Sequence, residues 1–112
     1  MDPKQIVRIE DFAKLEFKVG TVLEAEALEE SERLIKLKVD IGEESPRQIL
    51  AGLKQFVNAP DLIGKQIIVI ANLEPRMMMG NESNGMLLAA DTDNGPVFLT
   101  TSRQVPPGSK IR

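Results

Sequence analysis

Residues 34–42, LIKLKVDIG, alternate with a period of two: Ile35, Leu37, Val39 and Ile41 take one side, and Lys36, Lys38 and Asp40 the other. Successive side chains point to opposite faces only in extended backbone, so this stretch predicts a strand with one face in a core and one in water. On a helix the same residues would scatter around the axis. Such a strand needs partners, and the chain supplies them. RQILAG (47–52) follows the turn GEESP (42–46), which predicts a hairpin. KQIIVIANL (65–73) is apolar on both faces and reads as a buried central strand. LEFKV (15–19) alternates before Gly20, after which the apolar positions include Val22 and Leu23. A bulge or sharp bend at Gly20 accounts for that shift, with the strand continuing to about Leu28.

The remaining segments fill in around these strands. GMLLAAD (85–91) and PVFLTT (96–101) read as further strands joined by the turn sequence TDNG. RIEDFAKL (8–15) predicts a short helix with Ile9, Phe12 and Leu15 on one face. Residues 53–64 are irregular, with a turn at Asn58–Asp61 and a helical turn near Pro60, and VPPGSKI (105–111) is an extended tail. Short strands with a glycine-bent first member predict an all-β fold in one domain spanning 1–112. The five-stranded OB-fold β-barrel is the natural candidate, with an SH3-like barrel and a small sandwich as competitors. A fold of this kind does not name a function.

Composition narrows the function by exclusion. The chain has no His and no Cys. That removes Ser/His/Asp and Cys/His hydrolysis, thiolate metal sites and disulfides, so no enzyme activity, metal or cofactor is expected. No apolar run is long enough to span a bilayer, and the N-terminal MDPKQIVRIEDF has no signal-peptide core, so a cytoplasmic protein without a membrane partner is expected. The net charge of −3 is uneven: residues 1–32 carry four bases against nine acids, whereas residues 33–76 carry seven bases against five acids. Indiscriminate polyanion binding is thereby disfavoured, while a local basic face in the middle of the chain is allowed.

Six segments in register carry a family resemblance: IEDFAKLEFKVGTV (9–22), SERLIKLKVDIG (31–42), RQILAGL (47–53), VIANLEPR (69–76), MGNESNGMLLAA (79–90) and VPPGSKI (105–111). Together they resemble the tRNA-binding domain found at the C-terminus of bacterial methionyl-tRNA synthetases or as a separate β-subunit, and in free-standing structure-specific tRNA-binding proteins. The resemblance implies an OB-fold with a short N-terminal helix and a C-terminal extension beside the barrel. It also implies a homodimer, tRNA as partner, recognition by shape, and a methionyl-tRNA synthetase catalytic chain as the enzyme served. Related OB domains act as chaperone-like or scaffold proteins, which keeps a protein-binding role as the alternative. The chain departs from the family where Met77 replaces the basic residue that often follows Pro-Arg. Residues 24–32 also hold five acids and no base.

The same resemblance implies the candidate tRNA contacts Arg33, Lys36, Lys38, Asn72, Arg76, Ser83 and Met86. Each has a plainer reading beside it. Arg33 also fits a solvated loop, and Lys36 and Lys38 a solvated strand face. Asn72 could fix a turn through its amide, and Ser83 could close the turn before Gly85. Arg76 is aimed by the preceding Pro75. Met86 opens a strand, and the run Met77–Met79 is expected to pack the bend beneath the C-terminal tail or at a dimer seam. The near absence of aromatic side chains, four Phe and no Trp or Tyr, favours phosphate and 2′-OH contacts over base stacking.

Overall fold

The computed structural model describes residues 4–112. One short helix, α1 (Ile9–Phe12), precedes nine strands: β1 (Phe17–Ala27), β2 (Ile35–Asp40), β3 (Arg47–Ala51), β4 (Gln66–Ile70), β5 (Arg76–Met78), β6 (Asn81–Ser83), β7 (Met86–Leu87), β8 (Ala89–Thr92) and β9 (Gly95–Phe98). A five-stranded antiparallel sheet in the order β3-β2-β1-β4-β7 curls into a nearly closed OB-fold barrel. A 3-10 turn at Ala59–Leu62 plugs one end, its Ala59 and Leu62 joining the core.

The alternation of β2 is realised: Ile35, Leu37 and Val39 are buried, and Lys36, Lys38 and Asp40 are half-buried on the outside. The inner faces of β3 and β4 meet them with Ile49, Ala51, Ile67 and Val69. Strand β4 is buried along its whole length, as its two apolar faces predicted. Cross-strand pairs share a face, so Ile68 and Ile70 lie outside the barrel with their partners Val19 and Phe17.

β1 differs from the expectation in one respect. Gly20 pairs in register with Ile67, and the bulge falls at Leu23, between the pairs Val22–Val39 and Glu24–Lys38. That extra residue puts Ala25 rather than Glu24 opposite the buried Leu37 and keeps Glu24 and Glu26 out of the barrel. Glycine at position 20 answers a different need. A Cβ there would lie 2.4 Å from Cγ1 of Val39, so the barrel wall approaches too closely for any side chain.

Three further expectations are corrected. The helix expected over 8–15 shrinks to the single turn of α1, with no buried residue to anchor more. GMLLAAD is two strands: β7 belongs to the barrel, and β8 pairs with β9 in a separate hairpin across the expected Thr92–Gly95 turn. The C-terminal tail runs along β1, where Val19 N–H donates to the Ser109 carbonyl (2.9 Å) and Gly108 N–H to the Val19 carbonyl (2.7 Å). It therefore does not cover Met77–Met79. Met78 instead packs outside the barrel with Leu28, Leu34 and Leu50, while Met77 and Met79 are exposed.

The buried Gln66 holds the extension. Its amide nitrogen donates to the Val105 carbonyl (2.7 Å) and to Thr21 Oγ1 (3.0 Å), and its oxygen accepts from Val105 N–H (3.0 Å). A buried carboxamide with every partner met is stabilising, whereas one left open would cost about 1–3 kcal/mol.

Candidate nucleic-acid interface

The outer edge of β3 organises the polar surface. In the β2–β3 pairing, Gln48 and Leu50 turn their backbone groups away from β2, and an unpaired edge would invite aggregation. The β5–β6 hairpin covers it. Leu50 N–H donates to Ser83 Oγ (3.0 Å), Asn84 N–H to the Gln48 carbonyl (2.8 Å), and Gln48 Nε2 to the Glu82 carbonyl (3.0 Å). Ser83 is buried, and its hydroxyl donates to the Gly85 carbonyl (3.2 Å). The hydroxyl therefore closes the turn and sets the hairpin against β3, with no face left toward solvent.

Arg47 locks the same corner. Its guanidinium grips Glu43 through two parallel bonds (2.9 and 2.8 Å) and donates to the carbonyls of Ala71 and Asn84. The bond from Arg47 holds the Glu43 carboxyl below its usual range against the opposing effect of partial burial. Glu43 in turn raises the guanidinium. Lys54 is a second internal cation: its ammonium donates to the carbonyls of Leu28 and Ser31 and fixes the loop that carries Arg33. Sequence reasoning counted both among the seven bases of residues 33–76. The i,i+4 spacing of Glu43 and Arg47 was a visible signal for one of them, and no local pattern announced Lys54.

The two outward lysines of β2 part company. Lys36 lies 3.6 Å from Glu26 and lines a cleft with Glu29 and Glu30. Lys38 makes no ion pair among the described residues and lines a cleft of about 460 Å³ with Ser45, Glu82 and Asn84. Arg76 begins β5 opposite Ser83, is exposed and also unpaired among the described residues. It borders a smaller cleft with Leu50, Met78, Gly85 and Met86. Met86 extends that floor toward Gly52, beside which the Arg33 guanidinium lies.

Asn72 sits elsewhere. Its oxygen accepts from Glu16 N–H (2.7 Å) and its nitrogen donates to the Lys14 carbonyl (2.7 Å), pinning the segment after α1 to the end of β4. The structure thus gathers Arg33, Lys38, Arg76, Ser83 and Met86 along one edge, sets Lys36 among acids, and uses Asn72 as a brace. The residues missed by sequence reasoning are Ser45, Glu82 and Asn84, whose side chains meet only when the hairpin folds over β3.

Comparison with known proteins gives a consistent result. Residues 17–110 match the family described as "Putative tRNA binding domain". The chain is 46% identical over 106 residues to the methionine–tRNA ligase of Methanocella arvoryzae, covering 95% of this chain and 15% of that protein. It is 45% identical over 111 residues to that of Archaeoglobus fulgidus, covering 99% of this chain and 17% of that protein. The chain therefore spans about a sixth of the length of these curated relatives. Among solved structures, a MetRS related protein from Pyrococcus horikoshii superposes with a TM-score of 0.89 at 34% identity, covering 97% of this chain and all of that one. The chaperone CsaA of Bacillus anthracis superposes with a TM-score of 0.87 at 31% identity, covering 96% of this chain and all of that one.

Proposed function

The chain belongs to the tRNA-binding domain family, and from that premise we propose that it is a non-catalytic module that holds tRNA by shape and backbone, acts as a homodimer and serves a methionyl-tRNA synthetase. The observation that carries the reading is the edge of β3, along which Arg33, Lys38 and Arg76 stand unpaired among the described residues: Lys38 in the cleft with Ser45 and Asn84, Arg76 at the cleft floored by Leu50 and Met86, and Arg33 beside Gly52. Phosphates need placed cations, and these three stand free along that edge. No aromatic side chain lines the clefts along that edge, which suits a folded RNA read through phosphate and ribose rather than splayed bases stacked on rings. Ser83 and Asn72 contribute by positioning, the first through the hairpin and the second through the brace to residues 14–16. Lys36 contributes only after parting from Glu26.

As an appended or associated module, such a domain raises the local concentration of tRNA at its catalytic partner without new chemistry. The homodimer reading is supported by a second, apolar surface. Phe12, Phe17, Ile68, Leu88, Leu99 and Ile111 line a groove of about 340 Å³, with Val7 and Ile9 exposed on the neighbouring N-terminal segment. No helix among the described residues is long and apolar enough to cross a membrane. We place the protein in the cytoplasm, with its tRNA. The likeness to chaperone CsaA, together with exposed Met77 and Met79, favours a protein-binding scaffold as the second reading.

Titration with unfractionated tRNA at about 50 and about 200 mM salt separates the two readings. Three or four phosphate contacts predict a loss of affinity on the order of a hundredfold between these conditions. Arg76→Ala is expected to weaken binding at low salt about tenfold and to flatten the salt slope by about one contact. Absent binding at low salt, or affinity indifferent to salt, overturns the tRNA reading.

A further inference from the structure

The cleft around Lys38 has a composition that phosphate binding alone does not explain. Its walls come from the outer face of β2, the β2–β3 turn and the end of β6, brought together only by the closure of the hairpin on β3. Several of its polar side chains are already committed within the fold: Arg47 to Glu43, and Gln48 to the Glu82 carbonyl. Among the described residues, the Lys38 ammonium, the Ser45 hydroxyl, the Glu82 carboxylate and the Asn84 carboxamide have no internal hydrogen-bond or ion-pair partner. The Asn84 backbone, by contrast, is held at both ends, its N–H by the Gln48 carbonyl (2.8 Å) and its carbonyl by Arg47 (3.4 Å). A fixed backbone thus presents a free carboxamide, half-buried, into an open cleft.

The set of groups selects the ligand. One cation suits one phosphate. A free carboxylate beside it would repel a second phosphate, but it accepts a hydrogen bond from a hydroxyl. A carboxamide both donates and accepts, matching a hydroxyl that does the same. A phosphate with a hydroxyl a few ångströms away is the ribose–phosphate unit of RNA, and the hydroxyl that DNA lacks is the 2′-OH. The neighbouring cleft of Lys36, Glu29 and Glu30 offers no such balance, because its cation is already paired with Glu26.

We propose that this cleft is the RNA-discriminating subsite of the protein, with Lys38 taking a backbone phosphate and Asn84 and Glu82 taking the adjoining ribose 2′-hydroxyl. The inference rests on the tRNA reading above and deepens it. Arg76 and Arg33 hold the polyanion whatever its sugar, and the Asn84 cleft distinguishes the sugar. Ser45, which lines the same cleft, would donate to the same phosphate.

The test compares one tRNA sequence made as RNA and as its all-deoxy copy, each titrated against the full chain at fixed low salt. The unmodified protein is expected to prefer the RNA form by about tenfold, the value of one or two hydrogen bonds lost with the hydroxyl. Asn84→Ala is expected to weaken RNA about tenfold and the deoxy copy less than twofold, so the preference disappears. Lys38→Ala is expected to weaken both forms by a similar factor and leave the preference intact. Equal affinity of the unmodified protein for the two forms overturns the inference while leaving the tRNA reading standing. So does an Asn84→Ala protein that loses both forms equally or keeps its preference. If neither form binds at low salt, the tRNA reading falls and this inference falls with it. The comparison on the unmodified protein does not depend on any variant folding.

Discussion

At the scale of single residues, like charges do unlike work. Arg47 and Arg76 are the same side chain, yet one is clamped between Glu43 and two carbonyls and the other stands free beside Met86. The difference comes from partners far apart in the chain. The Glu43–Arg47 pair has a pH signature. Bonding to Arg47 lowers the Glu43 pKa in the fold from its ordinary 4.5. A lowered folded pKa contributes stability that is present above the unfolded value and is lost as pH falls through the folded one. The pair is partly solvated, so its contribution at neutral pH is about 0.5–1 kcal/mol. Glu43→Gln is therefore expected to lower stability by that amount near pH 7 in urea unfolding. The deficit should shrink as pH falls below that ordinary value and through the lowered folded one. A deficit that persists at low pH would mean that packing, and not the carboxylate charge, is responsible. Sequence reasoning singled out Arg76 and Met86 as candidates from their motif, but it had no means of knowing that Ser83 would be buried, because burial depends on where the hairpin lies.

At the scale of elements, the β5–β6 hairpin decides the character of the surface. Its two-residue loop, Met79-Gly80, has both residues at positive φ, 51° and 75°, which is the geometry of a type I′ turn. Gly80 adopts it freely, whereas Met79 does so at a cost that Asn, tolerant of that region, largely avoids. Met79→Asn would write the preferred Asn-Gly pair and is expected to stabilise the protein by about 0.5–1 kcal/mol, read as a rise in thermal midpoint, with tRNA affinity within about twofold. A fall in midpoint would show instead that the Met79 side chain is held by packing. β1 shows how a strand can be legible while its details are not. The alternation 15–19 and the break after it are visible in the sequence, but the bulge lies at Leu23. Gly20 is there because the Val39 side chain comes too close for a Cβ. The glycine and the irregularity are neighbours in sequence with separate causes.

At the scale of the whole molecule, the barrel presents two unlike exteriors. The β2–β3 side and its hairpin carry Lys36, Lys38, Arg76 and Glu82. The outer face of β4, with α1 and the C-terminal extension, carries Phe12, Phe17, Ile68, Leu88 and Leu99 around an open apolar groove. A groove of this kind next to exposed Val7 and Ile9 is costly in water unless covered, and a second copy of the chain is the cover we propose. Light scattering at micromolar concentration is expected to give twice the 12.4 kDa chain mass. Leu99→Asp should shift the mass toward the monomer. A monomeric mass for the unaltered protein would remove the dimer from the proposed function.

The one-dimensional pattern was enough for the strands, and the family motifs chose the OB-fold barrel among the folds that the strands allow. Period-two alternation in 34–41 and the doubly apolar run 65–73 depend only on which side of a strand each residue takes, and that follows from backbone geometry. The family motifs were equally local. Which cations are free, which hydroxyl is buried and which side chains share a cleft were settled by tertiary structure alone. Lys38 and Lys36 are indistinguishable by pattern; register sets each opposite a glutamate, Lys36 to Glu26 and Lys38 to Glu24, but of the two only Lys36 closes an ion pair, while Lys38 lines a cleft with Asn84, with 45 residues of chain between them. Pairwise electrostatics and hydrogen bonds act over a few ångströms, so a site built from distant segments exists only once the chain has closed on itself.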